Sequence, residues 1–276
     1  MKLDGVLADK LDERDFKYSS TLKTLPNKVD LRKYDKEIED QSSTGSCVAN
    51  AACSALEILT AEYNIDTDLS TLFVYWNLRE PYENLKGKDN GSYLRDAFKS
   101  ISKKGVPSEK YWGFDKNKVN IKPDEVVYKK AKSNKVLEYR RVSKEIDDVK
   151  DALAKGCPVI FSMKIGKLFT NIKGNINKQK YKEIDKVNYS IGQHAMTIVG
   201  YDDNLKGFIV ENSWGTKWGD KGYCLIPYEV FIKDVVDIWV CSNFVYEGKT
   251  IKPAKIKKNF LKELFIKIKL IFSNLF

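Results

Sequence analysis

The sequence predicts an α+β protein with a helical half followed by a mainly antiparallel β half, and three observations carry that prediction. Small and apolar residues recur at helical spacing between residues 46 and 105. Short β-type runs separated by turn residues fill the chain from Cys157 onward. Between them lies a charged stretch, KKAKSNK at residues 129–135, read as the link. The stretch DQSSTGSCVANAACSALEIL starts as a polar, Gly-containing loop, then runs on with no Gly or Pro before Pro81. Val48, Ala51, Ala52, Ala55, Ile58 and Leu59 give it a helical period, so residues 46–63 are predicted as a helix. LSTLFVYWNLRE is a second helical patch, and YLRDAFKSISKKG a third, amphipathic helix stopped by Gly105. CPVIFSM, HAMTIVGYDD, GFIVENSW, GYCLIP and DIWVCSNFVY are the predicted strands. Residues 1–24 read as a charged leader, 25–250 as the folded domain and 251–276 as a basic amphipathic tail. Within that domain the helical half covers about 41–135 and the β half about 136–250 plus 25–40.

The bulk numbers narrow the function. A chain of 276 residues, 42 % hydrophobic and with 15 Tyr, has enough apolar material for a real core. The net charge of +10 suggests nucleic acid at first. However, seven Lys and one Glu lie between Lys252 and Phe276, which leaves only a mild excess elsewhere and no basic stripe. Nucleic-acid binding is therefore not expected. Five Cys is an odd number and none forms a CxxC pair, so neither a disulfide scaffold nor a metal site is expected. The opening MKLDGVLADKLDERDF has no apolar core of a secretory signal, which makes a reducing compartment the expectation. No window reaches the ~18 apolar residues of a membrane-spanning helix.

Three residues then stand out. Cys47 falls at the predicted helix start, where unpaired N–H groups and the helix dipole favour a thiolate. His194 is the one histidine of the chain, so any Cys–His chemistry must use it. The run from His194 to Trp214 reads as a hairpin turning near residues 203–206. Folding it about residue 203 sets His194 opposite Asn212, whose amide can accept from one ring nitrogen and leave the other facing a thiol. Taken singly, a helix cysteine is more often a small buried hydrophobe, and a lone histidine a structural hydrogen-bonder. It is the combination that points to nucleophilic catalysis.

The surrounding letters resemble the papain family of cysteine peptidases. QSSTGSCVANA is similar to that family's Gln-then-GSC segment, GQHAMTIVGYDD to its His block, and ENSWGTKWGDKGYCLIP to its Asn–Ser–Trp–Gly block. VDLR, LSTLFVYWN and NGSYLRDAFKSISKKGVPSEKYW extend the likeness over most of the chain, from about Leu25 to about Val245. The resemblance implies a papain-like fold with a cleft between its halves. It implies Cys47 as nucleophile, His194 as base and then acid, Asn212 as orienting group and Gln41 as an oxyanion donor. Trp214 would cover the Asn212–His194 hydrogen bond; Trp214 and Trp218 together with Gly91 and Ser92 would be substrate-binding residues, the last two contacting the substrate backbone. The substrate would be a peptide or protein, with no cofactor or metal and a monomeric enzyme. A catalytically silent binding module and acyl transfer to an amine are the alternatives.

Departures from the family pattern shape further expectations. Val48 replaces the aromatic residue that usually follows the nucleophile, and Thr44 stands where many relatives carry a half-cystine, so that disulfide cannot form. With one histidine the chain cannot build the histidine-bearing occluding loop of the carboxydipeptidase branch, which favours endopeptidase action. Cys53, Cys157, Cys224 and Cys241 read as core or sheet residues. The leader is short for this family and resembles that of bacterial-type members, in which an apolar–acidic run precedes an Arg–Asp pair. It is expected to lie along the enzyme and partly obstruct the cleft, with Val6, Leu7, Leu11 and Phe16 in apolar grooves. Its acidic cluster Asp9, Asp12, Glu13 and Asp15 would face a basic rim. In the tail, Ile256, Phe260, Leu261, Leu264, Phe265, Ile268 and Phe272 repeat at helical spacing among lysines. Such a segment over 255–276 suits peripheral contact with an anionic membrane or docking on the catalytic domain; the sequence leaves both open.

Overall fold

A computed structural model describes residues 5–9, 12–167, 169–174 and 190–253. The tail at 255–276 and Leu11 lie outside these residues.

Helix α1 (Cys47–Ala61) is the central element and is buried on nearly every side. That explains its composition: Ala49, Ala51, Ala52, Ser54 and Ala55 let neighbours approach from all directions, so no polar face is needed. Helix α2 (Thr71–Arg79) begins where the Ser70 hydroxyl accepts from the Phe73 N–H. Helix α3 (Asp96–Lys104) buries Ala97, Phe98 and Ile101 and ends at Gly105. Gly105 has φ +81°, and a Cβ there would meet the Ala131 carbonyl oxygen at 1.9 Å, so only glycine fits. Helix α4 (Glu125–Ala131) completes the helical half, and the stretch predicted as the link is its last turn plus the start of the next strand.

Strands β1 (Val6–Leu7) and β3 (Ser92–Tyr93) form a small parallel pair. The remaining strands make one eight-stranded antiparallel sheet. Its main path runs from β10 (Lys249–Ile251) through β9 (Val235–Tyr246), β5 (Val159–Gly166), β6 (Ser190–Asp202) and β7 (Gly207–Glu211) to β8 (Tyr223–Pro227). β2 (Lys28–Asp30) adds to β6, and β4 (Lys135–Arg141) adds to β9. Each predicted β run is present, although β6 starts four residues before His194.

Two helices in the β half have no counterpart among the predicted elements: α5 (Ile146–Ala154) and α6 (Tyr228–Asp234). Ile146, Val149 and Leu153 do repeat at helical spacing, but the stretch is crowded with Asp and Lys, which masks the period. One hydrophobic core joins α5 and α6 to the sheet, and a second packs α1, α2 and α3 on it. The candidate site residues lie where the start of α1 meets β6 and the end of β7.

Candidate active site

Cys47 is the first residue of α1 and fully buried. The turn before it is held by its own polar side chains. The Thr44 hydroxyl meets the Ser46 hydroxyl at 2.8 Å, and the Asn50 amide donates to the Ser46 carbonyl at 2.9 Å. The backbone N–H groups of Ala195, Val48 and Cys47 itself lie close enough to the Cys47 sulfur to favour its charged form. Ala195 follows His194 in β6, so the sulfur sits against the strand residue next to the imidazole.

His194 and Asn212 meet as the hairpin requires: His194 Nε2 is 2.7 Å from Asn212 Oδ1. The register differs from a plain fold about residue 203. Asp202 pairs with Gly207 and Thr197 with Glu211, with an irregularity between Ile198 and Gly200. Asn212 therefore reaches the imidazole diagonally from just beyond β7. Among the described residues His194 Nδ1 has no hydrogen-bond partner. The Trp214 ring stacks on the imidazole at 4.6 Å between centroids and 28° between planes, which shields the His194–Asn212 bond. Trp218 does not touch the imidazole as a stacking partner; it packs edge-on against Trp214 at 5.4 Å. Phe169, which sequence reasoning misses, closes this shell at 5.6 Å from Trp214 and 5.2 Å from Trp218. It sits in a connection with no motif around it, and only its apolar character hints at burial.

On the opposite wall Gln41 is fully buried. Its Oε1 accepts from the Ser213 hydroxyl at 2.7 Å and its Nε2 donates to the Thr44 carbonyl at 2.8 Å. One amide N–H remains for another acceptor. Asp89 is a second residue that sequence reasoning misses. Its Oδ1 accepts from the Gly45 N–H at 2.8 Å and from the Tyr75 hydroxyl at 2.7 Å. The Tyr75 oxygen in turn accepts from the Gly91 N–H at 3.1 Å. This network ties the loop before Cys47 to the Gly91–Ser92 strip in a chain that cannot form a disulfide at Thr44.

The leader lies in the cleft. The Ser92 N–H donates to the Gly5 carbonyl at 3.1 Å, and Val6 and Leu7 pair with Ser92 and Tyr93. A Cβ at Gly5 would come within 2.4 Å of the Cys47 sulfur, so the backbone of Gly5 rests on the thiol. Val6 is buried in the same core cluster as Cys47 and Val48, and Leu7 is half-buried. Phe16 does not occupy a groove: it is 73 % exposed, because Asp15 beside it turns inward to two arginines. Glu13 is exposed as well. Beyond the cleft, the Tyr18 hydroxyl and the Leu22 N–H both donate to the fully buried Asp151, at 2.6 and 2.8 Å.

Burial dominates the electrostatics here. Burial pushes the Cys47 thiol up to about 12, against the pull of the N–H groups near it. Burial also lowers His194 to about 4, partly offset by Asn212. Both shifts disfavour the charged forms, because a buried thiolate and a buried imidazolium would each lose their water. The other four cysteines are buried as well. Among the described residues no group of three or more His, Cys, Asp or Glu is arranged to hold a metal ion. Nor is any described helix long and apolar enough to cross a membrane.

A cysteine at a helix start, set against a strand-borne imidazole that an Asn amide orients under a Trp, defines a papain-type cysteine peptidase. Likeness to known proteins agrees: the chain belongs to the papain family of cysteine proteases, whose family model matches residues 25–235. A peptidase C1-like protein of Acanthamoeba polyphaga mimivirus is 34 % identical over 220 residues, 74 % of this chain and 69 % of that protein. Cysteine proteinase 2 of Entamoeba histolytica is 31 % identical over 209 residues, a match that spans 72 % of this chain and 62 % of that protein. Xylellain, a cysteine protease from Xylella fastidiosa, superposes with a TM-score of 0.75 at 30 % identity, over 87 % of this chain and 96 % of that structure.

Proposed function

We propose that this chain is a thiol-dependent endopeptidase whose cleft is held closed by its own leader. The observation that carries the catalytic part is the His194 ring, with Nε2 fixed by Asn212 and Nδ1 unpartnered beside the residue that touches the Cys47 sulfur. In the open enzyme, His194 takes the thiol proton and the Cys47 sulfur attacks the scissile carbonyl carbon. The oxyanion that forms accepts from the Cys47 backbone N–H and the remaining Gln41 amide N–H. His194 then gives its proton to the leaving amine, and water, deprotonated by the same imidazole, releases the acyl group and restores the thiol. Trp214 keeps competing water from the bond that orients the ring.

The obstructing role of the leader rests on Gly5. The Gly5 carbonyl accepts from the Ser92 N–H, so the leader's backbone is tied to the strip that a substrate would use. Peptide or protein substrates would take the same strip once the leader lifts. The test is peptide hydrolysis together with labelling by an electrophilic epoxide or vinyl sulfone. Turnover that vanishes in Cys47→Ala, with mass mapping that puts the adduct on Cys47, supports the reading. Activity surviving in Cys47→Ala removes it. A folded chain that reacts at Cys47 yet cleaves no peptide favours the silent binding module. Amide products formed with added amines favour acyl transfer.

A further inference from the structure

Past the cleft strip, the leader places three carboxylates on two arginines. Arg95 stands at the N-terminal end of α3, just beyond β3. Its Nη2 is 2.6 Å from Asp12 Oδ2 and 2.7 Å from Asp15 Oδ1, and its Nε donates to Asp15 Oδ1 at 3.0 Å. Arg141, the last residue of β4, meets Asp15 Oδ2 through Nε at 3.1 Å and Asp9 Oδ2 through Nη2 at 3.7 Å. Asp15, 8 % exposed at its side chain, bridges both guanidinium groups. Arg141 is fixed from the domain side: Nη1 is 3.2 Å from Asp237 Oδ1, and the guanidinium lies over the Trp239 ring at 4.9 Å. Asp237 is itself locked by the Trp239 indole N–H at 2.7 Å.

Among the described residues the ion-pair partners of Arg95 belong to the leader, whereas Arg141 keeps one partner in the domain. When the leader lifts, both guanidinium groups face solvent and only Arg141 keeps a carboxylate, Asp237, at the end of the strip where an extended chain would run. The forked N–H donors of arginine match a carboxylate in geometry as well as charge. An acidic side chain arriving there would regain the charge-assisted bonds that the leader gave up.

We propose that Arg95 and Arg141 form an anion subsite of the open cleft that selects peptide substrates carrying Asp or Glu remote from the cut. The leader shows the reach. Gly5 rests on the sulfur and Asp9 is the first residue to meet the arginines, four positions along. In extended chain that is ~13 Å from the reacting centre, with Asp12 and Asp15 following on a turn. Acidic side chains about four or more residues from the scissile bond, on one side of it only, would therefore be recognised. The leader would be an occupant of this subsite by the same chemistry. This proposal rests on the endopeptidase reading above.

The test uses the full chain with Asp9→Asn, Asp12→Asn and Asp15→Asn, which frees the arginines without shortening the protein. Cleavage of a peptide library should show Asp and Glu enriched at least fivefold on one side of the cut, about four or more residues away. The preference should fade at high salt, because it is electrostatic. Arg95→Gln added to the triple variant should abolish it, and Arg95→Glu should invert it toward Lys. Cleavage with no acidic enrichment overturns the subsite and leaves the endopeptidase reading intact. A binding arm decides without turnover. In the same variant carrying Cys47→Ala, fluorescence anisotropy compares the synthetic peptide GVLADKLDERDF with its triple-Asn counterpart. Tighter binding of the acidic peptide, lost with Arg95→Gln, supports the subsite, and equal binding of the two overturns it. Acidic binding without any hydrolysis would sink the endopeptidase reading alone.

Discussion

His194 and Gln41 stand on opposite walls of one cleft and are held there by different forces. The β wall is built by strand register and aromatic packing: β6 carries His194, β7 delivers Asn212, and Trp214, Trp218 and Phe169 stack around the bond between them. The loop wall is built from hydrogen bonds among polar groups, with Gln41 locked by Ser213 and Thr44, and Gly45 by Asp89. Packing fixes a ring plane but tolerates small shifts in distance, which suits an imidazole that must move a proton. Directional bonds fix the aim of single N–H groups, which suits an oxyanion donor. The leader meets the loop wall through its backbone at Gly5, against Cys47 and Gly45, and its carboxylates reach Arg95 and Arg141 farther out.

That contrast can be broken from either side. The largest effect is expected at the reacting groups: Cys47→Ala and His194→Ala should each lower kcat/KM by ~10^4-fold or more. Asn212→Ala should cost less, ~10^2-fold, since water can orient an imidazole but not replace it. Equal losses for His194 and Asn212, in proteins with unchanged circular dichroism, would contradict the roles assigned to them.

Next come the supports of each wall. Trp214→Ala removes a large ring from a packed shell and should cost ~3–5 kcal/mol in denaturant unfolding, with activity falling alongside. Asp89→Ala should cost ~1.5–3 kcal/mol, the scale of hydrogen bonds to a charged acceptor, and should lower kcat more than it raises KM. If Asp89→Ala unfolds the protein as readily as Trp214→Ala, the loop wall is a packing element after all.

The leader supplies a smaller and opposite effect. In the intact chain, Gly5→Val must push the backbone off the Cys47 sulfur. Activity and the rate of Cys47 alkylation should rise about tenfold, equivalent to ~1.4 kcal/mol of lost closure. A slower or unchanged alkylation rate would show that the thiol is reached without moving the leader. Shortening the chain is better begun at Lys17 than at Leu25, since Tyr18, Thr21 and Leu22 satisfy buried Asp151.

The smallest predicted effect concerns pH. Near the loop wall, Glu39, Glu57, Asp68 and Glu109 line a pocket of about 270 Å³. Burial, with neighbouring carboxylates adding to it, raises Glu39 to about 8 and Glu109 to about 7, and raises Glu57 and Asp68 as well. A carboxyl whose folded-state pKa is raised binds its proton more tightly when folded. The stability from these groups is therefore fully present below about pH 4.5 and lost as pH rises through about 7 to 8. The melting temperature should be higher at pH 5 than at pH 8 by about 4 °C, and Glu39→Gln should flatten that slope. A melting temperature that climbs toward pH 8 would contradict the burial of this cluster.

Much of the site is legible in residue types alone. A single histidine forces the choice of base, a Gly–Ser–Cys turn into small residues marks a helix start, and a DDNLKG turn between β runs brings Asn212 to His194 within a residue or two. The register itself is not legible, because Asp202 pairs with Gly207, which centres the turn later than residue 203, and the irregularity near Val199 then shifts the pairing by one residue without a mark in residue type. α5 is hidden by its charge: Lys150 and Asp151 look like solvent-facing linker residues, yet they are buried against Asp203 and the leader. Phe16 fails in the other direction, an apolar residue expected in a groove and found in solvent.

The sequence by itself determined the candidate residues and the local elements, since these depend on residue type, short-range period and turn composition. Cys47, His194, Asn212 and Gln41, the helices from α1 to α3 and the β runs all follow from neighbours within a few positions. Only the tertiary structure decided which distant groups meet: Asp89 with Gly45, Phe169 with Trp214, Gly5 with Cys47, and Arg95 and Arg141 with the leader's carboxylates. Those pairs are separated by tens to more than a hundred residues, and each residue has many partners of equal chemical merit. What selects one is the closing of the helical layer onto the sheet, a sum over whole cores that no local pattern encodes.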